Sequence, residues 1–197
     1  MKLHVFIFAL SGLLGSDISL QAQTCNPNIA ESTPAAEFTV HGDGTATHNR
    51  TGLMWKRCAE GQTWSAGSCA GTAGTTNWVG ALLAARNVNF ANHTDWRLPN
   101  YKELESIVED KCYGTSINAS IFPNTPATYF WSASAYARNS SWAWSVYFEI
   151  GHAFPNFKYS TYPVRLVRAG QSFGAFDALN TSKVRRDLTP VLMLLLD

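Results

Sequence analysis

Charge is scarce in this chain: Asp, Glu, Lys and Arg make up 15% of its 197 residues, and the formal net charge is +1. A protein whose main partner is nucleic acid needs a clearly basic surface, so that class is excluded. No pair of cysteines shows Cys-x-x-Cys spacing, and His41, His48, His93 and His152 show no His-x-x-x-His spacing, which removes the common zinc patterns. Asp43 lies between Gly42 and Gly44, but a full Asp-x-Asp-x-Asp-Gly calcium loop is missing, and a plain turn is the simpler reading. No cofactor or metal is expected. No internal repeat is evident, and neither apolar run, Val5 to Gly15 or Val191 to Leu196, is long enough to cross about 30 Å of hydrocarbon. No transmembrane span is therefore expected.

Hydrophobic residues reach 46% and aromatics 13%, enough for a packed core in one domain of ordinary size. The first residues read as a secretory signal peptide over 1–22. Lys2 and His4 precede the apolar stretch, Ser16 and Asp17 follow it, and cleavage after Ala22 fits. Lipid attachment at Cys25 is disfavoured by the Ala22-Gln23-Thr24 approach. The four cysteines of an exported chain read as two disulfides. Cys58–Cys69 is favoured because the loop between them is short and rich in Gly, Ser and Ala, and Cys25–Cys112 follows by elimination. Secretion to the cell surface or beyond, with the periplasm as the other compartment of export, is the expected localisation.

Residues 23–37 read as an extended leader, 38–175 as the domain, and 176–197 as a tail of unassigned structure. Leu53 and Trp55 share one face of a short strand. Trp78, Ala81, Leu82 and Ala85 recur at helical spacing. The clearest local signal is Asp95 to Val108: Asn100 caps a helix, Glu103 closes a capping box, and Leu104, Ile107 and Val108 line one face. Glu103, Glu105, Glu109 and Asp110 then read as a solvated helix face. Phe130–Ser134, Trp142–Ile150 and Val164–Arg168 read as strands. In the middle one Trp142, Trp144, Val146, Phe148 and Ile150 share a face opposite Ser145, Tyr147 and Glu149. The class is α+β, with two helices packed on short antiparallel strands.

Five ordered motifs carry a resemblance. They are Thr51-Gly52-Leu53-Met54-Trp55, Asp95-Trp96-Arg97-Leu98-Pro99-Asn100 with Lys102-Glu103-Leu104-Glu105, Phe122-Pro123-Asn124-Thr125, Trp131-Ser132-Ala133-Ser134 and Val164-Arg165-Leu166-Val167-Arg168. Together, over roughly residues 38–175, they resemble the Lcl C-terminal domain family of bacterial proteins, named for a Legionella collagen-like adhesin. The resemblance implies a C-type-lectin-like fold related to the formylglycine-generating enzymes and, from the namesake, binding to sulfated polysaccharide. The chain departs from the family at Ala169, which stands beside Gly170 where two glycines are common. It also lacks the Glu-Pro-Asn and Gln-Pro-Asp triplets of calcium-dependent sugar-binding lectins, and no cysteine follows Cys112, so the formylglycine-generating activity does not carry over.

No catalytic residues are nominated. Gly170-Gln171-Ser172-Phe173-Gly174 fits a nucleophile-elbow pattern, but the last histidine, His152, precedes the serine, which is the wrong order for that fold. Trp55, Trp96, Trp131 and Trp144 read as core, and Arg97 as a loop anchor through carbonyls or an acid. The segment 136–162 reads differently. Tyr136, Arg138, Asn139, His152, Asn156, Lys158, Tyr159 and Tyr162 form the Tyr/Asn/Ser/basic mixture that adaptable binding surfaces use. Basic residues outnumber acidic ones from Arg138 onward, which favours an anionic partner. Two ligands are expected of such a module: an anionic extracellular polysaccharide, or a surface protein met by a segment that a diversity-generating retroelement rewrites. An enzyme is the weaker alternative.

Overall fold

The computed structural model describes residues 23–169. Signal-peptide cleavage, the Gly170–Gly174 motif and the leucine-rich tail lie outside the described residues. Eleven strands and two helices follow one another as β1 (Thr24–Cys25), β2 (Phe38–Val40), β3 (Thr45–His48), β4 (Leu53–Lys56), β5 (Thr63–Ser65), β6 (Ser68–Ala70), α1 (Trp78–Ala84), α2 (Tyr101–Glu105), β7 (Cys112–Tyr113), β8 (Tyr129–Ala135), β9 (Trp142–Tyr147), β10 (His152–Phe157) and β11 (Val167–Ala169). The domain is thus α+β and mainly β. A four-stranded sheet runs β11-β4-β3-β2 and a three-stranded sheet β10-β9-β8, with β1-β7 and β5-β6 as small pairs; every pairing is antiparallel.

Strand alternation sorts the side chains into two cores. In the four-stranded sheet Ala46, Trp55 and Val167 lie in one cross-strand row facing the larger core, where Leu104, Ile107, Phe122, Phe130, Val146 and Phe148 meet them. The adjacent row carries Met54 to the second core with Trp96, Leu98, Trp131, Ala143, Val164 and Leu166. The three-stranded sheet sits between the two cores, α2 against one face and α1 against the other.

That placement corrects the reading of Trp142–Ile150. The strand stops at Tyr147, and Ala143, Ser145 and Val146 are all buried, while Trp142 and Trp144 are only half-buried. A sheet covered on both faces buries both sides of its central strand, so alternation of large and small residues does not mark inside and outside. Trp144 is therefore not a core residue. Leu82 is a second correction: only Ala81 of α1 is buried, while Trp78, Ala84 and Ala85 flank the core and Leu82 faces outward.

Both disulfides pair as the sequence leads one to expect: Cys25–Cys112 joins the N-terminal arm to β7, and Cys58–Cys69 braces the β5-β6 hairpin. The turn before β3 is tight. Asp43 Oδ1 accepts from the Thr45 backbone and hydroxyl (3.0 and 2.7 Å), and Gly44 takes φ +88° with a virtual Cβ 2.7 Å from Trp64 Cγ, so only glycine fits. Among the described residues no helix is long and apolar enough to cross a membrane.

Candidate functional site

The capping box of α2 forms as the sequence indicates: Asn100 Oδ1 accepts from Glu103 N (2.9 Å) and Glu103 Oε2 from Asn100 N (2.8 Å). The helix therefore begins at Tyr101, and this start directs the Tyr101 ring onto Trp144 of β9, stacked at 5.0 Å. From there a continuous series of rings crosses the edge of the sheet. Trp144 meets Tyr136 edge-on (5.3 Å), Tyr136 meets Trp142 (6.1 Å), Trp142 meets Phe157 (4.7 Å) and Phe157 stacks on Tyr159 (5.0 Å). Register explains the row: Trp142 pairs with Phe157 across β9 and β10, and Trp144, two residues on, shares their face. All six rings are partly accessible, Phe157 at 41% and Tyr159 at 73%. The Trp142 indole N–H, buried, finds no acceptor among the described residues.

The β8–β9 loop borders this strip. Asn139 N donates to Tyr136 O and Asn139 Oδ1 accepts from Ser141 N, a local turn that leaves the Arg138 side chain exposed. Lys102 lies over the Tyr101 ring (4.8 Å) and pairs with Glu105 (2.8 Å), whose carboxylate raises the ammonium pKa.

The eight residues singled out in the sequence are divided among three places. Tyr136, Arg138, Asn139 and Tyr159 come together on the strip. Lys158 points to the other face of the sheet, over the Trp78 ring (4.3 Å) with Nζ donating to Ser140 O (2.7 Å), and so ties α1, the loop and β10. Asn156 and Tyr162 lie on that second face too, engaged with Ser145 Oγ (2.8 Å) and with each other (3.2 Å). His152 sits at the far end of β10, about 17 Å along the strand from Phe157. It is opposite Tyr147, whose hydroxyl donates to Glu149; that bond pushes the phenol pKa up to about 12. Tyr147 stacks on Tyr129 (4.3 Å), and Phe154 and Tyr162 complete a smaller aromatic cluster.

Four ring residues of the strip are not among the binding residues singled out in the sequence: Tyr101, Trp142, Trp144 and Phe157. The available signal was the wide rings at alternate positions of 142–147 with a capped helix starting on an aromatic. Arg97 does anchor its loop through an acid, donating to both Glu103 carboxylate oxygens. Glu109 reverses its expected exposure: it is 3% accessible, past the end of α2, and its carboxylate receives Ser32 and Thr33. His48 is a core residue stacked on Phe38 (4.6 Å), its pKa lowered by burial. Among the described residues no three His, Cys, Asp or Glu side chains gather as metal ligands. Open clefts of about 470 Å³ lie beside the hairpin (Gln62, Ala70, Asn124, Pro126) and on the outer face of the four-stranded sheet (Thr39, His41, Asp43, His93).

Fold and surface define a small, disulfide-braced, mainly β domain whose most conspicuous exposed chemistry is a row of aromatic rings. The chain belongs to the Lcl C-terminal domain family, whose model matches residues 44–168, well over half of its length. No curated protein matches it significantly.

Proposed function

We propose that the protein is an exported, C-type-lectin-like binding module that holds a polysaccharide chain against the strip from Tyr101 to Tyr159, and that it performs no catalysis. The observation that carries this reading is the continuity of six partly exposed rings contributed by α2, β9, β10 and the adjoining loops. Aromatic faces take the C–H faces of sugars, and rings already packed on one another lose little conformational freedom on binding. Membership of a family named for an adhesin supports the same class of role, and two disulfides suit a secreted or cell-surface location. The test is a glycan array followed by affinity electrophoresis with the full chain. The Phe157→Ala, Tyr159→Ala double variant, altered only at exposed positions, should lose binding about tenfold or more while keeping its unfolding temperature. Unchanged binding by that variant would remove the strip from the site.

A protein ligand is the second reading, favoured by the Tyr136–Ser141 loop, whose Tyr, Arg, Asn and Ser side chains are the mixture adaptable paratopes use. A reverse transcriptase beside the gene, with a near-copy of the segment encoding 136–162, would move the assignment to a diversified receptor. Their absence favours a fixed ligand.

A further inference from the structure

Accepting the polysaccharide reading, we infer that the strip reads a sparsely charged sugar chain, with Arg138 the specificity-determining residue that meets an occasional anionic group on it. Of the basic residues from Arg138 onward, Lys158, Arg165 and Arg168 are engaged inside the domain, and Lys183, Arg185 and Arg186 lie outside the described residues. Arg165 is wholly buried, its guanidinium on backbone carbonyls and Thr125. Arg168 Nε donates to Asp95 (2.7 Å), Arg97 is doubly bonded to Glu103, and Lys158 is fixed between Ser140 O and the Trp78 ring. Lys102, at one end of the strip, carries its own counter-charge in Glu105.

Arg138 differs from all of these. It is exposed at the loop that borders the rings and makes no hydrogen bond or ion pair among the described residues. Its fork of donors matches a carboxylate or a sulfate oxygen pair. One such cation beside six rings sets the balance of the contact. Stacking supplies most of the attraction, and the ionic part is a single pair. A densely sulfated polymer carries charge on every residue and rewards a row of cations, which the described residues do not present along the strip.

Salt dependence distinguishes the two balances, because each ion pair formed with a polyanion releases condensed counterions and adds to the slope of affinity against salt. Full-length protein, which retains Lys183, Arg185 and Arg186 of the tail, is titrated by affinity electrophoresis against laminarin, dextran, gellan (one carboxylate per tetrasaccharide) and heparin at 0.05 and 0.5 M sodium chloride. Binding to a neutral glucan should change little across that range, and binding to gellan should fall by about tenfold or less, as about one ion pair requires. Arg138→Gln should abolish the salt dependence seen with gellan and leave binding to neutral glucan intact. The Phe157→Ala, Tyr159→Ala variant should lose all probes alike. A preference for heparin that falls by about a thousandfold over the same range, or heparin binding that survives loss of the two rings, overturns the inference while a polysaccharide role stands. Retention of none of the four probes at either salt overturns the polysaccharide role and this inference with it.

Discussion

Arg97 and Glu103 meet as a two-pronged ion pair, Nη1 and Nη2 donating to the two carboxylate oxygens at 2.7 and 2.6 Å. The same carboxylate closes the capping box of α2, so the loop arginine steadies the residue that sets where the helix starts, and with it the position of the Tyr101 ring. Burial pushes the Glu103 carboxyl up, but the Arg97 and Asn100 donors outweigh it and hold it below its usual value.

Replacing Glu103 with Ala removes a cap partner and one half of a charge-assisted pair. The expected loss is about 1–2 kcal/mol, discounted for an Arg97 side chain that is nearly half exposed. Chemical denaturation of both proteins measures it. Glu103→Gln should recover part, since an amide oxygen still accepts from Asn100 N. Raising the salt should narrow the gap between wild type and Glu103→Gln, because the charge component is screened.

That relationship also shows what was readable in the chain. Asn100 and Glu103 are three residues apart, so their bond is a local pattern, and the sequence gives it away. The cysteine pairing was equally accessible, because a four-cysteine set with one short loop leaves little choice. Glu109 was not readable: its donors, Ser32 and Thr33, arrive from 77 and 76 residues away, and nothing local distinguishes a caged carboxylate from a solvated one. Strand β10 was missed because Pro155 interrupts it. Proline is tolerated there since β10 is an edge strand. The strip itself needed tertiary knowledge. Its rings come from α2, β9, β10 and the two loops at their ends, and Trp144 resembles a core residue until one sees that α2 covers only part of its face.

Glu109 should make the N-terminal arm sensitive to acid. Its Oε1 accepts from Ser32 N (3.0 Å) and Lys111 N (3.3 Å), and Oε2 from Thr33 N and Oγ1 (3.0 and 2.9 Å). Burial raises its pKa, and these donors more than reverse the effect, so the folded-state value lies below 4.5. A carboxyl depressed on folding stabilises the native state fully above its unfolded pKa. The contribution fades as pH falls from about 4.5 through the lower folded value. Glu109→Gln faces an amide N–H₂ toward backbone donors and should cost about 1–3 kcal/mol at neutral pH. Its unfolding temperature should also vary less than that of the wild type between pH 5 and pH 3. Parallel pH profiles would assign the acid sensitivity elsewhere.

The two disulfides should differ in what their loss does. Cys58–Cys69 closes a loop of separation 11, worth on the order of 3 kcal/mol in the chain-entropy model, and Cys25–Cys112 one of separation 87, worth about 4.5 kcal/mol. Reduction should lower the unfolding temperature markedly, and the Cys58→Ser, Cys69→Ser pair should reproduce the smaller part. Loss of Cys25–Cys112 should in addition raise amide exchange in Thr24–Thr33, where the contacts that remain include the two-residue β1-β7 ladder, the Lys111–Glu31 ion pair and the Glu109 cage. Peptide mapping without reduction checks the pairing, and recovery of a Cys58–Cys112 peptide would contradict it.

Arg165 should be the least replaceable residue in the core. Its guanidinium is fully buried and donates to the carbonyls of Lys56 (3.0 Å) and Arg57 and to Thr125 Oγ1 (2.7 Å), with the Phe122 and Phe130 rings at 4.9 and 5.8 Å. Desolvation pushes its pKa down to about 9, so it remains charged at neutral pH. These contacts join the end of β4 to the segment before β11 and to the loop carrying Phe122. Arg165→Met keeps the volume but leaves two carbonyls without this donor in a dry site, at a cost of about 2–5 kcal/mol. Arg165→Lys should not rescue, because an ammonium cannot reproduce the planar fork that reaches carbonyls on one side and a hydroxyl on the other. Equilibrium unfolding of the two variants decides the matter: a lysine variant within about 1 kcal/mol of wild type would mean that the charge, not the geometry, holds this junction together.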